Sequence, residues 1–276
     1  MVTTSIISNY LETELINHII RNNPYSPPAS TYIALYTTDP GDADGGTEVA
    51  RNTILEGGSG TGYERIQCPT ATISNNTATF GEDGIAFSTA TFPWGTVTHM
   101  GIKDADTGGN LLFYGALDEA QTIERENTLH IYPEISLRGN ENGGWGAEIT
   151  EAILKFILNK ESFSTPGLSL YMALGRSIVP DNFNNCLSWT EINSIGYSRK
   201  LANTWTSPSD GLCYNIDEIV FTEAASVNWG TVSHAAIFNS SSAGNMLIYG
   251  KLTPAILLLM GDGLRFKAGA LSVAIA

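Results

Sequence analysis

The sequence predicts two tandem, homologous, mainly β domains, each an antiparallel β-sandwich or open barrel with one N-terminal α-helix. Three observations predict this fold class. The string WGTVTH at 94–99 returns as WGTVSH at 229–234, an offset of 135. Near the start of each copy lies an apolar stripe with helical spacing. Short strand-like runs, punctuated by Gly, Asn, Asp and Pro, fill the remainder.

The repeat reaches well past the hexapeptide. GGNLLFYGAL at 108–117 matches AGNMLIYGKL at 243–252, and Gly62, Tyr63 and Arg65 match Gly196, Tyr197 and Arg199. TYIALY at 31–36 matches LYMALG at 170–175. Order is kept while the offset drifts, as expected of one unit duplicated and then altered in its loops. The Gly- and Asn-rich stretch RGNENGGWG at 138–146 is the seam, dividing the chain into 1–139 and a diverged copy at 140–276.

Within each copy the elements follow in order. Leu11, Leu15, Ile16, Ile19 and Ile20 match Ile149, Ile153, Leu154, Ile157 and Leu158, one stripe of a helix in both cases. Ser8 or Asn9 supplies a cap for the first helix, and Pro24, Pro27 and Pro28 stop it. Strands are predicted at 32–36, 63–66, 85–87, 97–102, 111–114 and 129–131. KDADTGGN at 103–110 reads as a hairpin turn.

Composition excludes several partners. Among 276 residues the net charge is −14 and only 15% are charged. Binding to a nucleic-acid backbone needs Lys and Arg to displace counterions, so that partner is not expected. An anionic membrane surface is disfavoured for the same reason. No apolar run approaches the roughly 20 residues of a membrane span, and the first ten residues lack a secretory pattern. The acidity is uneven: residues 1–139 hold 6 Lys/Arg against 17 Asp/Glu, and 140–276 hold 8 against 11. Cys68, Cys186 and Cys213 are too few and too scattered for a disulfide framework or a metal pattern.

The shared motif is the first place to look for chemistry. Its residues are Trp94, Gly95, Thr96, His99 and Tyr114, repeated as Trp229, Gly230, Thr231, His234 and Tyr249. A hydrolase would use Thr96, His99 and Asp83, or Thr231, His234 and Asp217, with the hydroxyl as nucleophile and the imidazole as base. Neither copy has a G-x-S-x-G elbow, and aligning Asp83 with Asp217 needs a gap, so framework roles are expected. Trp94 and Trp229, beside Asn110 and Asn245, would stack on a sugar if exposed; a plug over the end of the sandwich is expected instead. GGSGTG at 57–62 lacks the Lys and following helix of a phosphate loop. Asp39, Asp42 and Asp44 cluster as calcium ligands do, yet Asp, Pro and Gly are equally turn formers, and a turn is expected. No catalytic residues, cofactor or metal site are predicted.

One asymmetry stands out. EAQTIER at 119–125 faces PAILLLM at 254–260. Ile123 and Leu258 are expected to point inward, so alternation turns Thr122 and Glu124 outward in one copy and Leu257 and Leu259 in the other. Ile256, Leu257, Leu259 and Met260 are therefore a candidate assembly interface. Packing between the two domains is the alternative use of this strip.

Several strings together resemble a known family: SNYLETELINHII (8–20), TYIALYTTDP (31–40), GTEV (46–49), GYER (62–65) and WGTVTHMGIKDADTGGNLLFYGAL (94–117). They are similar to a family of small tailed-phage virion proteins commonly labelled phage tail fibre protein, present here in two copies. GDGLRFKAGALSVAI (261–275) resembles that family's closing segment, whereas copy one closes differently, with ENTLHIYPEISLRG (126–139). The resemblance implies a non-enzymatic structural protein of a tailed bacteriophage virion, made in the host cytoplasm, with no catalytic residues to carry over. Its partners would be other virion proteins, major capsid protein or tail proteins, in a homo-oligomer. The chain lacks the heptads or β-helical repeats of a long shaft. Capsid-surface decoration or cement is thus the first expectation, and a tail fibre, adaptor or baseplate component the alternative. A carbohydrate-binding module recognising host glycan is the reading from another class.

Overall fold

The computed structural model describes residues 6–51, 60–74, 76–167, 169–221 and 227–275. Copy one runs β1 (Ile6–Ile7), α1 (Asn9–Ile19), β2 (Tyr32–Tyr36), β3 (Ile66–Gln67), β4 (Thr72–Ser74), β5 (Thr77–Thr79), β6 (Ile85–Ala86), β7 (Gly95–Lys103), β8 (Leu111–Ile123), β9 (His130–Ile131) and β10 (Glu134–Ser136). Copy two runs β11 (Gly143–Trp145), α2 (Ala147–Asn159), β12 (Tyr171–Pro180), β13 (Cys186–Glu191), β14 (Lys200–Leu201), β15 (Leu212–Tyr214), β16 (Ile219–Phe221), β17 (Gly230–Phe238), β18 (Met246–Leu258), β19 (Leu264–Phe266) and β20 (Ser272–Ala274).

Each helix forms for the reasons the spacing predicts. Ser8 is the N-cap of α1, its Oγ accepting from the Leu11 N–H at 3.3 Å. Leu11, Leu15 and Ile16 on the stripe are fully buried, each worth about 1.5–3 kcal/mol of burial. The helix ends at Ile19, before the prolines; Asn22 then takes a left-handed φ of 52°. In copy two, Ile153, Leu154 and Ile157 are likewise fully buried, and Lys160 closes α2 in the left-handed region.

The main sheets are antiparallel and share one plan. Copy one orders its strands β1-β8-β7-β2-β3; copy two orders them β11-β18-β17-β12-β13, with β14 also pairing β12. The β7–β8 hairpin carries a bulge between Val97 and His99, and β17–β18 carries the same bulge between Val232 and His234. Smaller ladders complete each copy: β5–β10 and β6–β9 in the first, β15–β20 and β16–β19 in the second. Copy two adds β13, along β12, where copy one has a single bridge from Tyr36 to Glu48.

Four strand expectations change. The predicted strand at 63–66 shortens to Ile66–Gln67, because Tyr63 and Arg65 turn their side chains into a buried polar network. The strand predicted at 111–114 extends to Ile123; ladder pairing to β7 is kept at Ala116 and at Gln121–Ile123, either side of an irregularity at 117–120, although ALDEAQT shows no apolar alternation. The predicted runs at 85–87 and 129–131 pair as β6 and β9 with Phe87 and Leu129 just outside.

The copies are not separate cores. One apolar cluster runs through both, from Ile7 to Leu137 and from Trp145 to Ile275. Packing across the seam is reciprocal: α1 lies against β8 of its own copy and β15 of the other, while α2 lies against its own β18 and against β4 and β5 of copy one. His18 of α1 stacks near Phe156 of α2, ring centroids 5.0 Å apart, and bonds the Phe163 carbonyl through Nε2 at 3.0 Å. Asn159 of α2 exchanges two hydrogen bonds with the Ala71 backbone, at 2.8 and 2.9 Å. Each helix thus needs the other copy to cover it. Buried area that one small module cannot supply is supplied by its neighbour.

Candidate assembly interface

The duplicated motif residues are packed and hydrogen-bonded within the fold. The Trp94 indole is 6% exposed and the Trp229 indole 1%. Trp94 Nε1 donates to the Thr61 carbonyl at 2.9 Å, and Trp229 Nε1 to the Ile195 carbonyl at 3.3 Å. Each ring meets a Tyr edge-on: Tyr63 at 5.4 Å and Tyr197 at 5.5 Å between centroids. Those tyrosines stack in turn on Phe87 and Phe221. Gly95 and Gly230 follow with φ of 82° and 78°, a left-handed turn into the strand that a Cβ would strain. The faces a sugar would need are covered, so stacking of a glycan on these indoles, considered above, is corrected by their burial.

The hydroxyl and imidazole groups also serve the framework. Thr96 Oγ1 bonds Thr122 Oγ1 across the hairpin at 2.9 Å. His99 Nδ1 bonds Thr98 Oγ1 at 2.9 Å, and its Nε2 lies 3.7 Å from Asp39. Asp83 sits instead in the turn between β5 and β6. In copy two, His234 Nδ1 bonds Ser233 Oγ at 2.7 Å, and Asp217 accepts from Thr204 at 2.7 Å. Burial first, then the Lys251 ammonium, holds His234 below the ordinary imidazole value. The carboxylates of the Thr–His–Asp sets considered above therefore have other surroundings. Tyr114 bonds Asp42 and Tyr249 bonds the Asn184 carbonyl, so neither phenol is hydrogen-bonded to its histidine.

The Asp39–Asp44 loop is a turn whose carboxylates are engaged. Asp39 accepts from the Gly41 N–H at 2.9 Å, and Asp44 accepts from the Tyr36 hydroxyl at 2.7 Å and from Lys103. The loop thereby fastens to β2 and β7.

Sequence reasoning missed the most complete polar network. Glu48 accepts from Arg65 Nε at 2.8 Å, from Arg65 Nη2 at 2.6 Å and from the Tyr63 hydroxyl at 3.0 Å. Arg65 Nη1 donates to the carbonyls of Ala105 and Gly108, pinning the β7–β8 turn. Copy two repeats it: Glu191 accepts from Arg199 and Tyr197, and Arg199 Nη1 donates to the carbonyls of Ser240 and Ala243. Tyr63 and Tyr197 also accept from the Leu35 and Leu174 N–H groups, both at 2.9 Å. The signal was present as Thr47-Glu48-Val49 against Thr190-Glu191-Ile192. A different offset hid it, since β13 and the loop before Glu48 differ in length.

The strand-end asymmetry has a clear geometry. Ile123 pairs with Gly95, and Leu258 with Gly230, so the two positions are equivalent. Both side chains are buried, at 4% and 3% exposure. Their neighbours point out: Thr122 and Glu124 in copy one, Leu257 and Leu259 in copy two, with Leu257 57% and Met260 64% exposed. Ile256 is half-buried and packs on the core. On the side away from β17, β18 beyond Lys251 pairs with no strand among the described residues; β8 beyond Tyr114 is open in the same way on the side away from β7.

These features define a class: a duplicated β-rich module whose motif residues are packed and hydrogen-bonded within the fold and whose copies differ in polarity at one strand end. One family model, described as podophage GP4 fiber I protein gp80, matches residues 6–135 and matches again at 145–274. The chain belongs to that family, twice over, and is a phage structural protein of the virion. No match is found among curated proteins. No helix among the described residues is long and apolar enough to cross a membrane.

Proposed function

We propose that the chain is a non-enzymatic fibre component of a podophage tail, joined to neighbouring virion proteins through the outer end of β18. The observation that carries this reading is the match of one fibre-protein family to both copies. The duplicated motif supports it, because its hydroxyl, imidazole and indole groups are hydrogen-bonded within the framework. The exposed Leu257, Leu259 and Met260 support it too, since large apolar side chains grouped on a surface favour burial against protein. Burying each contributes about 1.5–3 kcal/mol, which several copies in an assembly would multiply against the cost of association.

Capsid-surface decoration or cement is the role against which the fibre reading is tested. Labelling an added C-terminal epitope with gold on intact particles, followed by electron microscopy, separates them. Gold at the tail supports the fibre role. Gold distributed over the head would replace it with decoration, and unlabelled particles carrying no copy of the chain would remove both.

A further inference from the structure

Two strand ends that are open among the described residues have diverged in complementary directions. Around the end of β8, copy one carries Asp118, Glu119, Glu124 and Glu126 against a single Arg125. Around the equivalent end of β18, copy two carries Lys251, Arg265 and Lys267 against Asp262 and Glu218, the last 3.4 Å from Arg265, beside the exposed Leu257, Leu259 and Met260. The acidic end is also concave. Between the outer half of β8 and the segment 126–131 lies a groove of about 790 Å³, lined mainly by polar groups, edged by Glu119 and Glu126, with the buried Ile123, Leu129 and Ile131 beneath it. That volume falls within the roughly 300–1,000 Å³ of clefts that bury a ligand-sized group.

We propose that these two ends bind each other between chains: the apolar end of β18 in one copy of this protein seats in the acidic groove along β8 of the next. This rests on the fibre reading for its biological setting and deepens it by naming the partner. The favoured occupant is a second copy of the chain on grounds of charge. Lysines near an apolar plug fit a groove edged by carboxylates. A symmetric contact of β18 with β18 would set Lys251, Arg265 and Lys267 against their own copies. Because the ends differ, the contact is head-to-tail, and it adds chains one after another unless its geometry closes a ring. Duplication within one chain makes this possible: a symmetric pair of identical modules would carry two identical ends.

Sedimentation velocity on the full chain tests it. Wild-type protein should form species that grow beyond a dimer with concentration, and a tenfold rise in salt should weaken them. The plug variant L257E/L259E and the groove variant E119K/E126K should each weaken association at least tenfold. All four residues are exposed, and matching thermal transitions check that both variants fold. Mixed together, the two variants retain one intact plug and one intact groove, and should form a dimer that grows no further. Wild-type chain that stays monomeric overturns the proposal and leaves the strip for a different virion protein. A groove variant that dimerises as wild type does overturns it in favour of a symmetric β18 contact. A mixture that stays monomeric overturns it as well. Particle labelling is independent: a monomeric chain on the tail sinks this inference alone, and an associating chain absent from particles sinks the fibre reading alone.

Discussion

Glu48→Ala is expected to expose the energetic centre of copy one. The mutation removes the acceptor of three hydrogen bonds at 2.6–3.0 Å. It leaves the Arg65 guanidinium, whose side chain is 3% exposed, without its counter-charge. Arg65 keeps its bonds to the carbonyls of Ala105 and Gly108, so the side chain stays inside instead of swinging to solvent. Removing one member of a buried ion pair costs about 3–5 kcal/mol. Glu48 is 20% exposed, so water can enter where it stood, and the low end, about 3 kcal/mol, applies here. For a chain of this size that lowers Tm by about 6–12 °C. Glu191→Ala in copy two should cost about the same, since Arg199 is 8% exposed and Glu191 23%. The assay is thermal unfolding followed by far-ultraviolet circular dichroism, with urea titration giving the free energy. A loss below about 1 kcal/mol for either variant would refute the claim that these networks stabilise the hairpins.

Four further outcomes follow from the packing. Thermal unfolding should show one transition for both copies, because a single apolar cluster joins them; two separated transitions in calorimetry would contradict that. Trp229→Ala should cost about 3–5 kcal/mol, measured by urea unfolding, because the residue is 1% exposed and its ring is enclosed by Tyr197. Glu12 on α1 is 5% exposed; burial first, then Asp42 and Asp210, push its carboxyl up to about 7. Its folded value exceeds its unfolded one, so its contribution is full below about 4.5 and is lost as pH rises through about 7; Glu12→Gln should flatten that slope in a series of urea titrations. His18 has the opposite sign. Burial lowers it, and the bond from Nε2 to the Phe163 carbonyl opposes part of that shift; Nδ1 accepts from the Tyr25 N–H. Its contribution is present above the ordinary imidazole value and is lost as pH falls through the lowered one, and an imidazole titrating at the ordinary value by NMR would count against it.

Much of the local structure was legible because local structure has local causes. The helix stripes of α1 and α2, the Ser8 cap, the hairpin turn at 103–110 and the inward pointing of Ile123 and Leu258 all depend on spacing and residue type within a few positions. The burial of Trp94 and Trp229 was legible in the sequence, because an indole has much apolar area to cover. Less was visible where a residue's partner is distant in sequence. Glu48 and Arg65 are joined by folding, and only the recurrence of Glu191 with Arg199 at a shifted offset hinted at it. The long β8 could not be read from ALDEAQT, because its outer end is held as a strand by pairing of Gln121–Ile123 with β7, which is distant in sequence.

The sequence by itself determined that one module occurs twice, that each copy opens with a helix, and that the copies differ in polarity at one strand end. These are patterns of residue type, and a repeat or a periodicity survives in the linear chain. Only the tertiary structure decided that each helix is covered by the opposite copy, that one core spans both, and that the acidic strand end borders a groove. Those features depend on which surfaces meet, and burial is a property of a surface and its neighbour together.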